Sequence, residues 1–309
     1  MILTVGTSPA LARTMVFDRL TLGDVNRATE VLISAAGKSI NAARAARTLG
    51  EGVLACGVAG GRTGDALRED LDRAGIRHDL VPASHSTRLC VTVVDRSAGT
   101  CTELVQETPP LLDAESDMLW RRLLEWVPQA RVVVMSGTLA PNVPPAFYAL
   151  VCRLARDAGV QCIVDARGPE LLSTLPFQPA LVKPNRTELS ATLGRELANE
   201  AAMRAAMGDL LSQGARNVAV TAGADGVAFA DGTRFWRLRP PTIRPVSAIG
   251  SGDAFAGGFA AGLSRGLAPL DAARLAVACG AANALTLQAG FVDPAEVERL
   301  GELVTVEDA

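Results

Sequence analysis

Residues 131–165 read RVVVMSGTLAPNVPPAFYALVCRLARDAGVQCIVD, and their pattern decides the fold class. An apolar run of strand length at 131–135 gives way to Gly and Pro punctuation. Apolar positions at helical spacing follow over 144–158, and then a second apolar run at 161–165. Neither run alternates with polar residues, so each predicts a strand buried on both faces. Two such strands joined by a helix make a parallel crossover unit. The alternation continues outward. Helix 112–127 precedes the first run, strand 180–182 precedes a helix near 186–194, and helix 200–213 leads into strand 217–221. A hairpin across 226–238 and helices at 253–265 and 269–288 complete that half. Toward the N-terminus come strand 2–5, helix 40–49 ending at Gly50, strand 53–59 closed by Gly60-Gly61, and helix 65–74 stopped by Gly75. The prediction is an α/β fold whose mainly parallel central sheet is flanked by helices.

Two segments do not fit inside such a sheet. Residues 14–33 alternate loosely between apolar and polar around a Gly23-Asp24 turn, and 88–106 form two alternating runs around Ser97-Ala98-Gly99. Strands with one wet face predict a small antiparallel sheet. We read it as a β lid, drawn from approximately 12–33 and 88–107 of a chain that is otherwise a single domain over 1–309.

Composition narrows the function. The chain has 309 residues, 49% apolar, and a net charge of -3, which gives no basic field for nucleic acid and no polybasic patch for membranes. The opening MILTVGTSPA lacks a basic leader followed by a long apolar stretch, so no signal peptide is expected. The most apolar region, around 275–287, is interrupted by Gly280, Asn283 and Thr286 and falls short of the about 20 residues a span needs. Six scattered cysteines without CxxC or CxxH spacing fit reduced thiols in a cytoplasm rather than a zinc or disulfide framework. Two histidines, His78 and His85, leave little for a His-based triad or metal centre. Of 30 basic residues only Lys38 and Lys183 are lysine, one beside Gly37 and the other beside Pro184-Asn185, and a compact ammonium there suits phosphate chemistry.

The strongest local signal is IGSGDAFAGG at 249–258. Gly-Ser-Gly lets backbone approach a ligand closely. N–H groups at the start of the small-residue helix that follows would face an anion. Asp253 fits two roles there, a helix cap or the acceptor of a proton from an attacking hydroxyl, and spacing alone does not choose. Asn185 and Glu188 are likewise ambiguous. Three residues apart on a helical turn, they lie on one face and could position a hydrated metal, or they form a capping box.

IGSGDAFAGGFAAGL resembles the C-terminal signature of the PfkB carbohydrate kinases. Six further segments resemble motifs of that family in order: AGKSINAAR at 36–44, GGRTG at 60–64, Thr87-Arg88, SGTL at 136–139, LVKPNRTEL at 181–189 and VTAGADG at 220–226. Within the family the resemblance is nearest to the hexose-phosphate kinases of the 1-phosphofructokinase and tagatose-6-phosphate kinase kind, supported by LGDVNR at 22–27 and TEL at 102–104. The resemblance implies a ribokinase-like fold, a β lid that often clasps a second subunit into a homodimer, ATP as donor, Mg2+ as cofactor and a sugar or sugar phosphate as acceptor. It implies that Asp253 is the general base and that Gly250, Ser251 and Gly252 form the anion hole. Lys183, Thr221, Gly223 and Gly226 fall to the nucleotide. Gly280 and Asn283 fall near adenine, although a small-residue core helix accounts for these two nearly as well. Arg27, Gly37, Lys38, Asn41, Arg88 and Ser136 fall to the acceptor, with Arg27 reaching from a partner's lid. As isolated residues, Arg27 and Arg88 read equally as solvated strand arginines. Asn185 and Glu188 fall to the metal.

The family pattern fails in three motifs. Its near-N-terminal N-P-A-x-D is Ser8-Pro9-Ala10-Leu11-Ala12 here, its GGKG is Ala36-Gly37-Lys38-Ser39, and its TRxN ends in Cys90. These changes read as an altered sugar pocket, since alanine cannot hydrogen-bond where the family has a carboxylate. The competing function is a non-catalytic nucleotide or sugar-phosphate sensor on the same fold; Asp253 argues against it, because a sensor needs no base.

Overall fold

The computed structural model describes residues 1–232 and 234–309. Ten strands form the main sheet, in the spatial order Thr305–Asp308, Arg234–Arg239, Val227–Asp231, Asn217–Thr221, Leu181–Val182, Gln161–Asp165, Val132–Ser136, Ile2–Gly6, Val53–Ala59 and Arg77–Pro82. The seven strands from Asn217–Thr221 to Arg77–Pro82 pair in parallel, and the other three add as antiparallel edge strands. The 131–165 unit is the predicted crossover. Its strands pair in parallel, with Val133 opposite Cys162 and Val134 opposite Ile163, and its helix runs from Phe147 to Asp157.

Apolar runs without polar alternation bury both faces, and two cores result. On one face Ile2, Val132, Val134 and Ile163 pack under helices Lys38–Thr48, Ser251–Ser264 and Pro269–Ala284. On the other, Leu3, Val5, Val133 and Met135 pack under helices Asp113–Trp126, Phe147–Asp157 and Glu200–Ser212. The small-residue helix Ser251–Ser264 threads between its two neighbours at backbone distance. A Cβ on Gly258 would lie 2.6 Å from Cys279 Sγ, and one on Gly257 would lie 2.9 Å from Ala45 Cβ. No real Cβ sits that close, so larger residues would push the helices apart.

The second sheet has the order Glu30–Ala36, Ala10–Phe17, Arg88–Asp95, Thr100–Val105. Each hairpin is antiparallel, as its alternation predicts, while the seam between them is parallel, with Ala12 opposite Cys90. Thr87 fastens this lid to the main sheet. Its Oγ1 accepts from Gly60 N–H at 3.1 Å and its carbonyl accepts from Thr63 Oγ1 at 2.6 Å.

The sequence does not announce several elements, the short helix Gly168–Leu172 among them. Strand Arg77–Pro82 is half-exposed at the sheet edge and lacks an apolar run, and helix Pro294–Leu303 and strand Thr305–Asp308 close the chain. No helix of the described residues is long and apolar enough to cross a membrane.

Candidate active site

In open parallel sheets the carboxyl ends of the strands deliver side chains to one crevice. Here that edge carries Gly6, Ser136, Asp165, Val182 followed by Lys183, and Thr221. Above it lies a cleft of about 750 Å³, roofed by the lid and closed by the 240–253 segment.

The GSGD segment forms one end of the cleft. Gly250 is the N-cap of helix Ser251–Ser264, with a left-handed φ of 85° that favours glycine, and it makes no side-chain cap. Asp253 is therefore the third residue of the helix, and the capping alternative falls. Its carboxylate instead accepts from Asn41 Nδ2 at 2.7 Å. Asp253 is only 8% exposed, and burial first, then the neighbouring Asp165 carboxylate, pushes it up to about 7 against the pull of Asn41, Lys38 and Lys183. Ser251 N–H is donated to the Ala248 carbonyl and Ala254 N–H to that of Gly250. Among the described residues, the backbone donors left at this helix start are Gly252 and Asp253, with Gly250 before them. The expected Gly250–Ser251–Gly252 set is thus corrected at Ser251, whose N–H is already spent.

Two lysines face that helix start. Lys183 is buried, with Nζ 3.1 Å from Asp165 Oδ1 and 3.4 Å from where a Gly252 Cβ would be. Lys38 Nζ lies 3.4 Å from Glu188 Oε1, and Asp165 above all, then Glu188 and Asp253, holds it above its ordinary value in spite of burial. Asp165 escaped the sequence reading. Its signal was available, since it ends a buried parallel strand at the edge where ligands bind. It is 1% exposed, it lines the cleft, and neither oxygen has a hydrogen-bond partner among the described residues.

Asn185 and Glu188 do form a capping box. Asn185 Oδ1 accepts from Glu188 N–H at 2.8 Å, and Glu188 Oε2 accepts from Asn185 N–H at 2.9 Å. Glu188 Oε1 remains directed at Lys38. Burial pushes the Glu188 carboxyl up, but the Asn185 N–H and the two ammonium groups together hold it below its ordinary value. An ionised Glu188, and an Asp165 whose Oδ2 lies outside its ion pair with Lys183, fit a hard cation that keeps most of its water. Among the described residues, no group of three or more His, Cys, Asp or Glu side chains could hold a metal unaided.

Thr221, Gly223, Gly226 and Gly280 line the far half of the cleft with Val227, Ile243, Val277, Ala281 and Leu287. Asn283 does not line it. The residue is fully buried, and its amide is bonded to Ile249, Ser251 and Gly290, which corrects the expected adenine contact.

Toward the lid the cleft is lined by Gly37, Lys38, Asn41 and Arg88. Arg88 is held by the carbonyls of Ser8 and Gln106, both at 3.2 Å. Ser136 is buried behind the cleft and Arg27 is exposed in the lid loop; neither lines the cleft in this chain. Of the altered positions, Ala12 and Cys90 sit opposite each other on the cleft-facing side of the lid, in one row with Ser34 and Val105. Ser39 is turned away from the cleft, against Gly6, where a Cβ would lie 2.8 Å from Ser39 Cβ. The absent Gly6 side chain makes the room, so Ser39 leaves the pocket unchanged. Ser8 bonds Thr108 through its hydroxyl.

The model of the pfkB family of carbohydrate kinases matches residues 8–296 of this sequence. The chain belongs to that family. Phosphofructokinase-2 from Escherichia coli, solved in complex with potassium, is 28% identical, with 98% of each chain covered and a TM-score of 0.90. The same enzyme in complex with fructose-6-phosphate superimposes with a TM-score of 0.88 at 27% identity, again with 98% of each chain covered. A possible 1-phosphofructokinase from Thermotoga maritima, 24% identical over 100% of this chain and 99% of its own, shares the fold with a TM-score of 0.91. This pfkB-family chain is an ATP-dependent sugar kinase with a ribokinase-like fold.

Proposed function

We propose that this kinase transfers the γ-phosphoryl group of ATP to a hydroxyl of a sugar phosphate or related polyol phosphate, with Asp253 as general base. The observation that carries the reading is Asp253 itself, a buried carboxylate raised to about 7 at a helix start with free amides. A base poised near the working pH accepts a proton efficiently. The acceptor hydroxyl gives its proton to the free oxygen of Asp253 as its own oxygen bonds to the γ-phosphorus. The bond from that phosphorus to the bridging oxygen breaks, and ADP leaves. The Gly250, Gly252 and Asp253 amides and the Lys183 ammonium stabilise charge on the transferred group. Thr221, Gly223 and Gly226 border the nucleotide phosphates, and the apolar half around Val227, Ile243 and Val277 takes the base. Glu188 and Asp165 would hold hydrated Mg2+, with Asn185 keeping Glu188 in its rotamer through the capping box. When bound, the ion supplies positive charge against the β- and γ-phosphates.

Lys38 and Arg88 give the acceptor end its preference for an anion. Ala12 and Cys90 leave the adjoining wall without a carboxylate or amide, so hexose phosphates gain fewer contacts there. The test is ADP release from MgATP with fructose 6-phosphate, fructose 1-phosphate, tagatose 6-phosphate and their unphosphorylated sugars. Turnover with a phosphorylated acceptor, abolished in Asp253→Asn, is the expected result. Binding of MgATP without turnover of any acceptor would instead favour a sensor.

We further propose that the outer lid face pairs with a second copy. Val31, Ile33, Leu89 and Leu104 alternate with the cleft-facing residues and are 42–57% exposed. An exposed, largely apolar sheet face, here interrupted by Arg13 between Ile33 and Val91, is a common association surface, and this one would bring Arg27 toward the partner's cleft.

A further inference from the structure

Asn283 spends its amide on two segments. It occupies the last turn of helix Pro269–Ala284 and has no exposed surface. Its Nδ2 donates to the Ile249 carbonyl at 2.9 Å and to Ser251 Oγ at 3.2 Å, one residue before and one after Gly250. Its Oδ1 accepts from Gly290 N–H at 2.7 Å. Gly250 is thereby pinned from both sides, and a Cβ on it would lie 2.8 Å from Ala289 Cβ, in the turn that Asn283 also holds.

The third bond reaches the base. Gly290 lies against the backbone of Asn41, so that a Cβ there would come within 2.6 Å of Asn41 Cα. Asn41 in turn donates to Asp253. Two paths therefore leave one buried amide. One sets the backbone of the anion-binding loop, and the other sets the residue that orients the carboxylate.

We propose that Asn283 is a positioning residue that aligns the anion hole with the base, a role that rests on the phosphotransfer reading above. An amide is required because donors and an acceptor are needed at once: a carboxylate would face the Ile249 carbonyl, and an aliphatic side chain would leave it and Gly290 N–H unpaired. Displacement of a catalytic group by about 1 Å can cost 10²-fold in rate, so small movements of this loop are enough to matter. The nucleotide's apolar pocket is formed by other residues of the helix, Val277 and Ala281, and does not depend on the amide.

The test compares wild type with Asn283→Ala and the milder Asn283→Ser and Ser251→Ala, each checked for a native circular dichroism spectrum and melting profile. ADP release is followed from MgATP with fructose 6-phosphate and, in its absence, with water as acceptor. Binding of MgATP and of MgADP–aluminium fluoride, a mimic of the phosphoryl group in flight, is measured by calorimetry. Asn283→Ala should lower kcat about 10- to 100-fold with the KM for ATP changed less than about 3-fold, and Asn283→Ser should recover part of the loss. Affinity for the aluminium fluoride complex should fall at least about 10-fold while MgATP affinity holds. Equal loss of both affinities, or no loss of either in a folded variant, overturns the proposal. If Asn283→Ala does not fold, the same split is read from Asn283→Ser and Ser251→Ala. If wild type turns over neither these acceptors nor the other sugars and sugar phosphates of the panel above, the phosphotransfer reading fails, while the two affinities still decide whether Asn283 orders the loop.

Discussion

Replacement of Asp253 by Asn should make the protein more stable as it makes it inactive, and the gain should depend on pH. The amide keeps the shape of the carboxylate and can still accept the bond from Asn41 Nδ2. What it removes is a buried charge beside Asp165, the arrangement that raises Asp253 from 3.8 to about 7. The sign follows from linkage. A carboxyl whose folded pKa is raised holds its proton more tightly in the native state, so between about 4 and 7 the native protein binds more protons than the unfolded chain and loses stability as pH rises. The difference is about 3 units, and at ~1.4 kcal/mol per unit the penalty approaches 4 kcal/mol above pH 7, an upper bound that relaxation and water entry reduce. Asp253→Asn escapes it. Urea denaturation of both proteins at pH 5, 6, 7 and 8 should show a gain above about 1 kcal/mol at pH 8, with less than half of it at pH 5. Loss of a general base should meanwhile lower kcat by about 10²- to 10⁴-fold. In wild type kcat should fall as pH drops through about 7, because the protonated acid cannot accept the acceptor's proton. A variant with full activity, or one whose stability relative to wild type does not change with pH, would refute the assignment of a buried, raised base.

Other perturbations separate the remaining groups. Lys183→Met strands Asp165 as an uncompensated buried carboxylate, and should cost about 3–5 kcal/mol in denaturation, much of it recovered by adding Asp165→Asn. Glu188→Gln should raise the Mg2+ concentration for half-maximal turnover; an unchanged metal requirement would remove Glu188 from the ion's surroundings. Ala12→Asp adds a hydrogen-bonding group to the cleft-facing lid row and should lower the KM for fructose 6-phosphate by roughly 5- to 150-fold, the equivalent of one buried polar contact of about 1–3 kcal/mol. Ile33→Glu places a charge in the exposed apolar face of the lid, and sedimentation should show a shift to monomer if that face joins two copies.

The sheet and its helices were legible because burial on two faces leaves uninterrupted apolar runs, and 131–135 and 161–165 could hardly form anything else. Strand Arg77–Pro82 was not legible for the opposite reason: at the sheet edge it carries Arg77, His78 and Asp79 in sequence and shows no period. At the site, local patterns identified residues but not their jobs. Asp253 reads equally as cap and base until Gly250 is seen to occupy the cap position. Asn185 and Glu188 spell both a capping box and a metal pair; the box is formed, yet it leaves Glu188 Oε1 outside it, directed at Lys38. Asp165 carries no flanking motif; its strand-end position was a signal, but its role becomes plain only beside Lys183 and Asp253. Ser39 shows the converse, a departure that looked like a pocket change and is absorbed by Gly6.

The closeness of helix Ser251–Ser264 to its neighbours has a consequence for how such an enzyme can change. A helix locked at Gly257 and Gly258 admits almost no substitution on its inner faces, so the apparatus for phosphate chemistry is frozen by its own packing. Lid strands obey a looser rule: alternate positions face the cleft, and each can be exchanged without moving the backbone. Ala12 and Cys90, directly opposite each other in register, lie on that permissive wall. New acceptors can therefore be reached by rewriting one row of a four-stranded sheet while the reaction beneath it stays the same.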